Sequence, residues 1–211
     1  MSGTSERWAH IRNSDGSTQW AKWWKAEPSL AIRRRAAKVT GKTFDLIVEK
    51  QPSLFLFDAR SDNFSVLPCV IARAGEEPLK IYPAALGFAP SGDKEREGDG
   101  RTPEGEFRIV EKNAKSHFRK SLRLSYPEQR HAEAALKAKL ISSNEHDSIV
   151  RALRRHETPP QSTALGGDIM IHGGGVGANW TLGCVALRNE DIDELFATLP
   201  LRAKVTVRPV K

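Results

Sequence analysis

The sequence predicts a mainly β domain of the sandwich or barrel type, with a helical insertion and a short C-terminal helix. From Thr43 onward, many short apolar runs are separated by turn-forming residues, which is typical of a domain built from short strands. One helix-favouring stretch, 128–160, interrupts them. The 211 residues, of which 39% are hydrophobic and 28% charged, suit one globular domain with an appended segment. We expect a basic, Trp-rich arm over 1–42 and the main domain over 43–211.

The arm holds four of the five tryptophans, Trp8, Trp20, Trp23 and Trp24. The spacing of the last three, together with Leu30, predicts one face of a short helix that breaks at Pro28. Packing of this arm on the main domain is one interpretation, and a surface used for binding is the other.

The net charge of +7 is concentrated most sharply at Arg33-Arg34-Arg35. A solvated basic face is the simpler interpretation, and binding of an anionic envelope polymer is the alternative. The chain carries no signature of a nucleic-acid-binding motif, so nucleic acid is not an expected partner. It has no apolar run of the roughly 18 residues needed to span a bilayer. The polar segment 1–19 lacks the apolar region of a signal peptide, which favours the cytosol unless the chain is trimmed or exported by another route.

The strands of the first half follow from alternating and apolar runs. Two are predicted at 44–48 and 54–57, separated by a hairpin-like break at Gln51-Pro52-Ser53. Further strands are expected at 64–71, 79–88, 107–110 and 122–124. The segment 89–107 is rich in glycine, proline and alternating charges, which predicts a long surface loop without a core.

The second half combines helices with short strands. A helix is predicted over 131–140, and Asn144 is the expected cap of a second one, so that the pair forms a wall or lid of a site. Short strands are expected at 168–172 and 184–187. Asn189 is the expected cap of a helix that ends before Pro200, and Val205 and Val207 mark a closing strand.

The strongest chemical signal is Thr181-Leu182-Gly183-Cys184, twelve residues after His172. A thiol and an imidazole within one short fold-back are the parts of a cysteine acyl-transfer site. We expect His172 to lower the pKa of the thiol and to act as base, and the Gly173 carbonyl is a candidate partner for its other ring nitrogen. Gly183 suggests a backbone angle that turns N–H groups toward the oxyanion of a tetrahedral intermediate.

Simpler explanations exist for the same residues. A histidine at a strand end is often a core residue, and Cys69, within an apolar stretch, is interpreted as an inert buried thiol. A zinc site needs three or four ligands at recognisable spacing, whereas the other histidines are scattered. Asp168 lies about 13 Å along the strand from His172, too far to serve as a third catalytic member. We therefore expect neither a metal nor a cofactor.

Two motifs together resemble one family. His172-Gly173 followed by Thr181-Leu182-Gly183-Cys184 is similar to the His-Gly and Ser/Thr-x-Gly-Cys signature of the L,D-transpeptidase (YkuD) catalytic domain. The loop 92–105 resembles the loop of that family that ends in Thr-Pro-x-Gly. The resemblance covers roughly 43–209 and implies a β-sandwich-like catalytic domain.

The resemblance implies a transferase that cross-links or remodels peptidoglycan, with effects on cell-wall organisation and cell shape. Cys184 would attack the stem-peptide carbonyl before a D-residue and form an acyl-enzyme, with His172 as base and the Gly173 carbonyl as its partner. Gly183 and Cys184 would donate to the oxyanion. Carbapenem acylation of the thiol and a periplasmic or envelope location are implied as well.

Substrate recognition is the part of the pattern that differs from the family. Ala186 stands where many members have Arg or Asn, two residues after the cysteine, and Arg188 is the candidate to compensate. Thr181 and Trp180 are the other candidate substrate-binding residues.

Two further functions stay open at this point. The same acyl-enzyme serves an L,D-carboxypeptidase or amidase if water arrives in place of an amine. A non-catalytic, basic envelope-binding module would use the charged surface and not the thiol.

Overall fold

The computed structural model describes residues 7–12, 18–23, 45–58, 63–74 and 77–210. Most of the described residues lie in ten strands and three helices. The strands are β1 (Arg7–Arg12), β2 (Thr18–Trp23), β3 (Asp45–Asp58), β4 (Asn63–Ala74), β5 (Glu77–Pro83), β6 (Gly105–Ser116), β7 (Arg119–Leu124), β8 (Met170–His172), β9 (Val185–Ala186) and β10 (Lys204–Arg208). The helices are α1 (Gln129–Lys137), α2 (Ser143–Arg154) and α3 (Asn189–Thr198).

All ten strands belong to one hydrogen-bonded network. Its main path runs β2-β1-β3-β10-β6-β7-β8-β9, and β4 and β5 extend from β3. The pairs β3–β10 and β8–β9 are parallel and the others antiparallel. The segment after β5 then bridges to the region of β9, through Ala85 to Ala186 and Gly87 to Thr181. The segment after β5 thus contacts the far end of the strand order, at β9 and the residues before it.

The hydrophobic core lies inside this folded sheet. Buried and exposed residues alternate along β10: Val205 and Val207 are buried, while Thr206 and Arg208 are half-exposed. Helix α3 adds Ile192, Leu195 and Leu199 to the same core at helical spacing. The predicted fold class, mainly β with a helical insertion and a short C-terminal helix, is confirmed.

The N-terminal helix prediction is wrong. Residues 18–23 form β2, which pairs antiparallel with β1, and residues 9–11 of β1 pair with 54–56 of β3. Aromatic residues favour strands, and β3 offers a free edge beyond its pairing with β10, so tertiary pairing overrides the helical spacing. Trp24, Pro28, Leu30 and Arg33–Arg35 lie outside the described residues.

The predicted hairpin break at 51–53 is also absent. β3 continues through it as one strand, and its register against β4 shifts between Glu49 and Leu54. A β-bulge inserts extra residues without ending the strand, and it accommodates Pro52, which has no N–H to donate.

Two predicted helix caps differ by one or two positions. Ser142, not Asn144, caps α2, since its Oγ accepts from the Glu145 N–H at 3.3 Å and the Glu145 carboxylate accepts from the Ser142 N–H at 2.8 Å. Arg188 is the N-cap of α3. The Asn189 side chain accepts instead from the Gly174 N–H at 3.1 Å, which ties α3 to the loop after β8.

Candidate active site

The parallel pair β8–β9 brings the imidazole and the thiol to one side of the sheet. His172 lies opposite Ala186, and Ile171 lies opposite Val185. Extending this register by one residue places Cys184 beside Met170, diagonal to His172. Strand spacing and rise put the two Cα atoms about 8 Å apart, which side chains of this size can bridge.

His172 is buried and held in one orientation. Its Nδ1 lies 2.5 Å from the Gly173 carbonyl oxygen, so Nδ1 carries the proton and donates. This assignment leaves Nε2 unprotonated in the neutral ring. Burial lowers the pKa of His172, and the hydrogen bond to the Gly173 carbonyl only partly opposes that effect. The neutral imidazole is therefore the dominant form at neutral pH.

Two aromatic rings flank the imidazole. Phe118, from the turn between β6 and β7, stacks on His172 at 4.6 Å between ring centroids, and Trp180 approaches at 5.6 Å with a 66° tilt. The Trp180 Nε1–H donates to the Gly175 carbonyl at 3.2 Å, and the Phe118 carbonyl accepts from the Gly173 N–H at 3.0 Å. These contacts restrict rotation of the imidazole.

The turn before the thiol is built by Thr181 and Gly183. The buried Thr181 hydroxyl donates to the Cys184 carbonyl at 2.7 Å and accepts from the Gly183 N–H at 3.1 Å. Gly183 has φ +137°, and a Cβ there would lie 2.8 Å from the Arg101 carbonyl oxygen. The structure therefore uses Thr181 to shape the turn. The Gly183 N–H, expected to point at an oxyanion, is engaged by the Thr181 hydroxyl.

The thiol of Cys184 is held by backbone groups of the segment leading into β8. Its Sγ donates to the Asp168 carbonyl at 3.4 Å, and the Met170 backbone hydrogen-bonds the sulfur. Burial raises the pKa of Cys184 to about 11, the Asp168 charge raises it further, and the Met170 hydrogen bond and the Lys94 charge oppose this. The expectation that His172 lowers the thiol pKa is wrong, because burial dominates and the imidazole beside it is neutral.

The lowered pKa of His172 and the raised pKa of Cys184 favour the uncharged form of each group. A protonated thiol and an unprotonated Nε2 suit proton transfer at the moment of attack, not a pre-formed thiolate–imidazolium pair.

The loop 92–105 packs against the turn that carries the thiol. Thr102 Oγ1 accepts from the Gly87 N–H at 2.9 Å and donates to the Cys184 carbonyl at 3.5 Å. Lys94, Thr102 and Pro103 are buried. The prediction of a surface loop without a core is therefore wrong for these residues, because the loop buries charged groups that satisfy one another.

Buried ion pairs fix the shape of this loop. Lys50, on β3, donates to the carbonyls of Gly92 and Thr102 and to the Glu104 carboxylate at 2.6–2.9 Å. It therefore ties both ends of the loop to the sheet. Burial lowers the pKa of Lys50, and its pairing with Glu104 opposes that change.

The helical insertion reaches the site through the same loop. Asp93 accepts from Arg130 at 2.5 Å, lies 3.2 Å from His131 Nε2, and accepts from the Glu104 N–H at 2.8 Å. Burial acts against ionisation of Asp93, but these hydrogen bonds and the His131 charge hold its pKa well below the usual range. Helix α1 thus stabilises the loop through Arg130 and His131.

The remaining substrate-binding candidates lie on either side of β9. Trp180 is 38% exposed, next to His172. Arg188 caps α3, where its charge acts on Asp191 against the burial that raises the pKa of that carboxyl to about 6. Ala186 is fully buried, so it offers a substrate no polar group.

Sequence reasoning missed two features of the site. Phe118 comes from a hairpin turn more than 50 positions before His172, and no local pattern connects them. Lys94 lies in a segment whose charges are typical of a solvated loop, although Asp99, flanked by glycines, was a signal for a tight turn. Within the described ranges, no group of three or more His, Cys, Asp or Glu side chains is arranged to hold a metal ion.

The fold and the site together define a class: a mainly β protein with a histidine that ends one short strand and a cysteine that directly precedes the parallel strand beside it. The family described as YkuD, L,D-transpeptidase catalytic domain, matches residues 69–207, more than half of the chain. The chain belongs to the YkuD family. L,D-transpeptidases act on peptidoglycan, and the family is typical of the cell envelope. No helix in the described part of the chain is long and apolar enough to cross a membrane.

Several solved structures are similar to the chain at low sequence identity. The helical cell shape determining protein Pgp2 (K307A mutant) from Campylobacter jejuni is 17% identical, with a TM-score of 0.48 over 88% of this chain and 58% of that one. Bd1075 from Bdellovibrio bacteriovorus is 16% identical, with a TM-score of 0.41 over 79% and 48%. An L,D-transpeptidase from Xylanimonas cellulosilytica is 13% identical, with a TM-score of 0.39 over 79% and 62%. The chain thus spans about half to three fifths of these proteins. No curated protein matches it.

Proposed function

We propose that this protein catalyses cysteine-dependent acyl transfer on peptidoglycan stem peptides, as an L,D-transpeptidase of the cell envelope. The observation that carries the proposal is the state of His172. Its Nδ1 is committed to the Gly173 carbonyl at 2.5 Å, which leaves Nε2 as a base beside the strand that begins after Cys184. An imidazole whose Nδ1 proton is held in this way can accept a proton only at Nε2, as a general base must.

The first half-reaction joins the acyl group to the enzyme. Nε2 of His172 takes the thiol proton as the sulfur of Cys184 attacks the carbonyl between an L-centre and a D-residue. The tetrahedral intermediate collapses when His172 returns the proton to the leaving amine. D-alanine departs and a thioester on Cys184 remains.

The second half-reaction transfers the acyl group. An amine from another stem peptide gives its proton to Nε2, attacks the thioester and forms a new amide, while the thiol is regenerated. Because the Gly183 N–H is engaged by Thr181, the Cys184 N–H is the oxyanion donor that this turn offers. Each developing charge then arises in a partly dry site where a preorganised donor has most effect.

Substrate access fits the exposed surroundings of the thiol. Phe118 and Trp180 are about two fifths exposed, and Leu182 is 72% exposed. They form an apolar rim over which the stem peptide would lie. Arg188, at the N-cap of α3, is the candidate contact for a substrate carboxylate.

The decisive experiment incubates the full chain with disaccharide–tetrapeptide stems and identifies the products by mass spectrometry. Wild-type protein should release D-alanine and form cross-linked dimers, and Cys184→Ala should abolish both. Thr198→Ser, a change within α3 away from the thiol, is the matched control and should keep turnover. Full turnover by Cys184→Ala would refute the proposal.

The same spectra separate the alternatives. A tripeptide product without dimer would mean that water is the acceptor and the enzyme is an L,D-carboxypeptidase. A carbapenem should add its mass to the peptide containing Cys184, and the absence of this adduct would count against the thioester route. If the wild-type protein shows no turnover while Cys184→Ala still binds sacculi, the results would favour a binding module.

A further inference from the structure

The buried lysine of the loop 92–105 has no part in the mechanism above. Lys94 is 4% exposed, which is rare for a lysine, and its Nζ lies in the interior of the loop. It donates to Asp99 at 2.8 Å and to the Arg96 carbonyl at 3.0 Å. Burying this ion pair costs desolvation that an apolar side chain of the same size would avoid.

Lys94 lies close to the turn that carries the proposed nucleophile, Cys184. A Cβ built on Gly183 would lie 3.6 Å from Lys94 Nζ, so the ammonium sits against the peptide that precedes Cys184. The absence of a side chain at Gly183 permits this approach.

Asp99 holds the ammonium in place. Its carboxylate accepts from Lys94 and from the backbone N–H groups of Glu95, Arg96 and Arg101 at 2.8–3.1 Å. Burial works against ionisation of Asp99, but these hydrogen bonds keep its pKa below the usual value. The loop is therefore folded around one carboxylate that fixes one ammonium.

We propose that Lys94 is a positioning residue that supplies the fixed positive charge beside which the sulfur of Cys184 becomes negative during attack. The inference deepens the proposed function, on which it rests. Since the imidazole is neutral at rest, the site needs another cation to favour charge on the sulfur before the proton has fully transferred. No bond forms or breaks at Lys94.

The other groups around the thiol act in both directions. The Asp168 charge disfavours the thiolate, and it is itself paired with Arg123 at 3.2 Å. The Met170 backbone hydrogen bond and the Lys94 charge favour the thiolate. His172 contributes a neutral ring. Among the charged side chains acting on the sulfur, Lys94 thus opposes Asp168.

The test measures the rate of iodoacetamide alkylation at Cys184 between pH 7 and 10, by mass spectrometry of the peptide that contains it. Only the thiolate reacts, so the rate reports its ionised fraction without any need for turnover. Lys94→Met should shift the pH–rate line upward by about one pH unit, making alkylation about tenfold slower at each pH. Asp99→Asn keeps a side-chain oxygen that accepts from the ammonium but removes the negative charge, so it should shift the line in the opposite direction.

Controls separate charge from structure. Lys94→Arg should keep the wild-type line within a few tenths of a unit, and Lys204→Met, which removes a lysine paired with Glu106 on the sheet, should leave it unchanged. Circular dichroism establishes that each variant is folded. If Lys94→Met unfolds, Asp99→Asn alone decides the matter by the sign of its shift.

An unshifted line in folded Lys94→Met, or shifts of the same sign in the Lys94 and Asp99 variants, would overturn the inference. A protein with the expected shifts but no activity on stem peptides would refute the proposed function and keep the electrostatic role of Lys94. The two failures are therefore distinguishable.

Discussion

Cys69 and Cys184 are the same side chain in two different settings. Cys69 lies on β4 between two neighbouring strands, opposite Glu49 of β3 and Pro83 of β5, and is 1% exposed. Cys184 lies at the end of a glycine turn, before a two-residue strand, and its sulfur interacts with the Asp168 carbonyl, the Met170 backbone and the charges of Asp168 and Lys94. Cys69 is buried, whereas Cys184 is half-buried. What also differs is the polar structure that surrounds the sulfur.

From this difference we expect the reactivity of Cys184 to depend on the turn and the loop around it more than on the thiol itself. β4 would hold any small apolar residue at position 69. The turn at 181–184 requires Thr181 to brace it, Gly183 to admit the loop, and the loop to carry its own ion pair. Each of these features can be altered separately, and the following experiments alter them in order of expected effect.

The largest effect is expected at Gly183. Its φ of +137° disfavours any L side chain, and a Cβ would meet the Arg101 carbonyl at 2.8 Å. Gly183→Ala should lower kcat/KM by about 100-fold because a displacement of about 1 Å misplaces the nucleophile. The strain should cost about 1–3 kcal/mol of unfolding free energy, measured in urea.

Gly177→Ala is the matched control, since a Cβ there meets no atom within 4 Å. It should change neither quantity. Equal activity in the two alanine variants would contradict the assigned role of the turn.

A smaller effect, about tenfold per pH unit, is expected from protonation of His172. Its pKa is lowered by burial, so the acid limb of the kcat/KM profile should lie below pH 6.5. Activity is present above that limb and is lost as the pH falls through it. The same group favours folding above pH 6.5, because the unfolded chain takes up the proton more readily.

His146→Gln, on α2, should leave this profile unchanged. An acid limb above pH 6.5 would argue against a neutral His172 at rest. A shift of the limb by more than half a pH unit in His146→Gln would argue against its assignment to His172.

The smallest effect is expected at Cys69. Cys69→Ala removes one buried sulfur, which should cost about 1 kcal/mol of unfolding free energy and leave kcat/KM within twofold of wild type. Urea unfolding and the stem-peptide assay measure the two. A large loss of activity in Cys69→Ala would contradict the contrast between the two cysteines.

Much of the domain follows from local patterns in the sequence. Alternation identified β10 through Val205 and Val207, and the apolar spacing of Ile192, Leu195 and Leu199 identified α3. Both signals depend only on which face of one element is buried, so neighbouring residues carry the information.

The failures come from partners that are distant in sequence. Residues 18–23 have helical spacing yet form β2, because a hairpin can extend the free edge of β3. Pro52 suggested a chain reversal, but the pairing of β3 with β4 on both sides of it holds one bulged strand together. In each case the local sequence favoured one structure, and backbone pairing with a strand distant in sequence had the larger effect.

The candidate site divides in the same way. His172 and Cys184 could be found because a short connection joins their strands. The packing of the loop 92–105 against the turn that carries Cys184 could not, since Thr102 reaches the Cys184 carbonyl across 82 positions of chain. Lys94 and Phe118 required the folded structure, because each contacts the site across more than 50 positions of chain.

The pairing of β3 with β10 has a consequence for synthesis. Leu46 pairs with Val205, so residues 46–49 of β3 lack this partner until β10, far later in the chain, has been synthesised. Contacts this remote slow folding, and an unpaired apolar strand is a template for association with other chains. Production at low temperature or with a holdase chaperone should therefore raise the yield of monomer, and truncation before residue 204 should send the product to inclusion bodies.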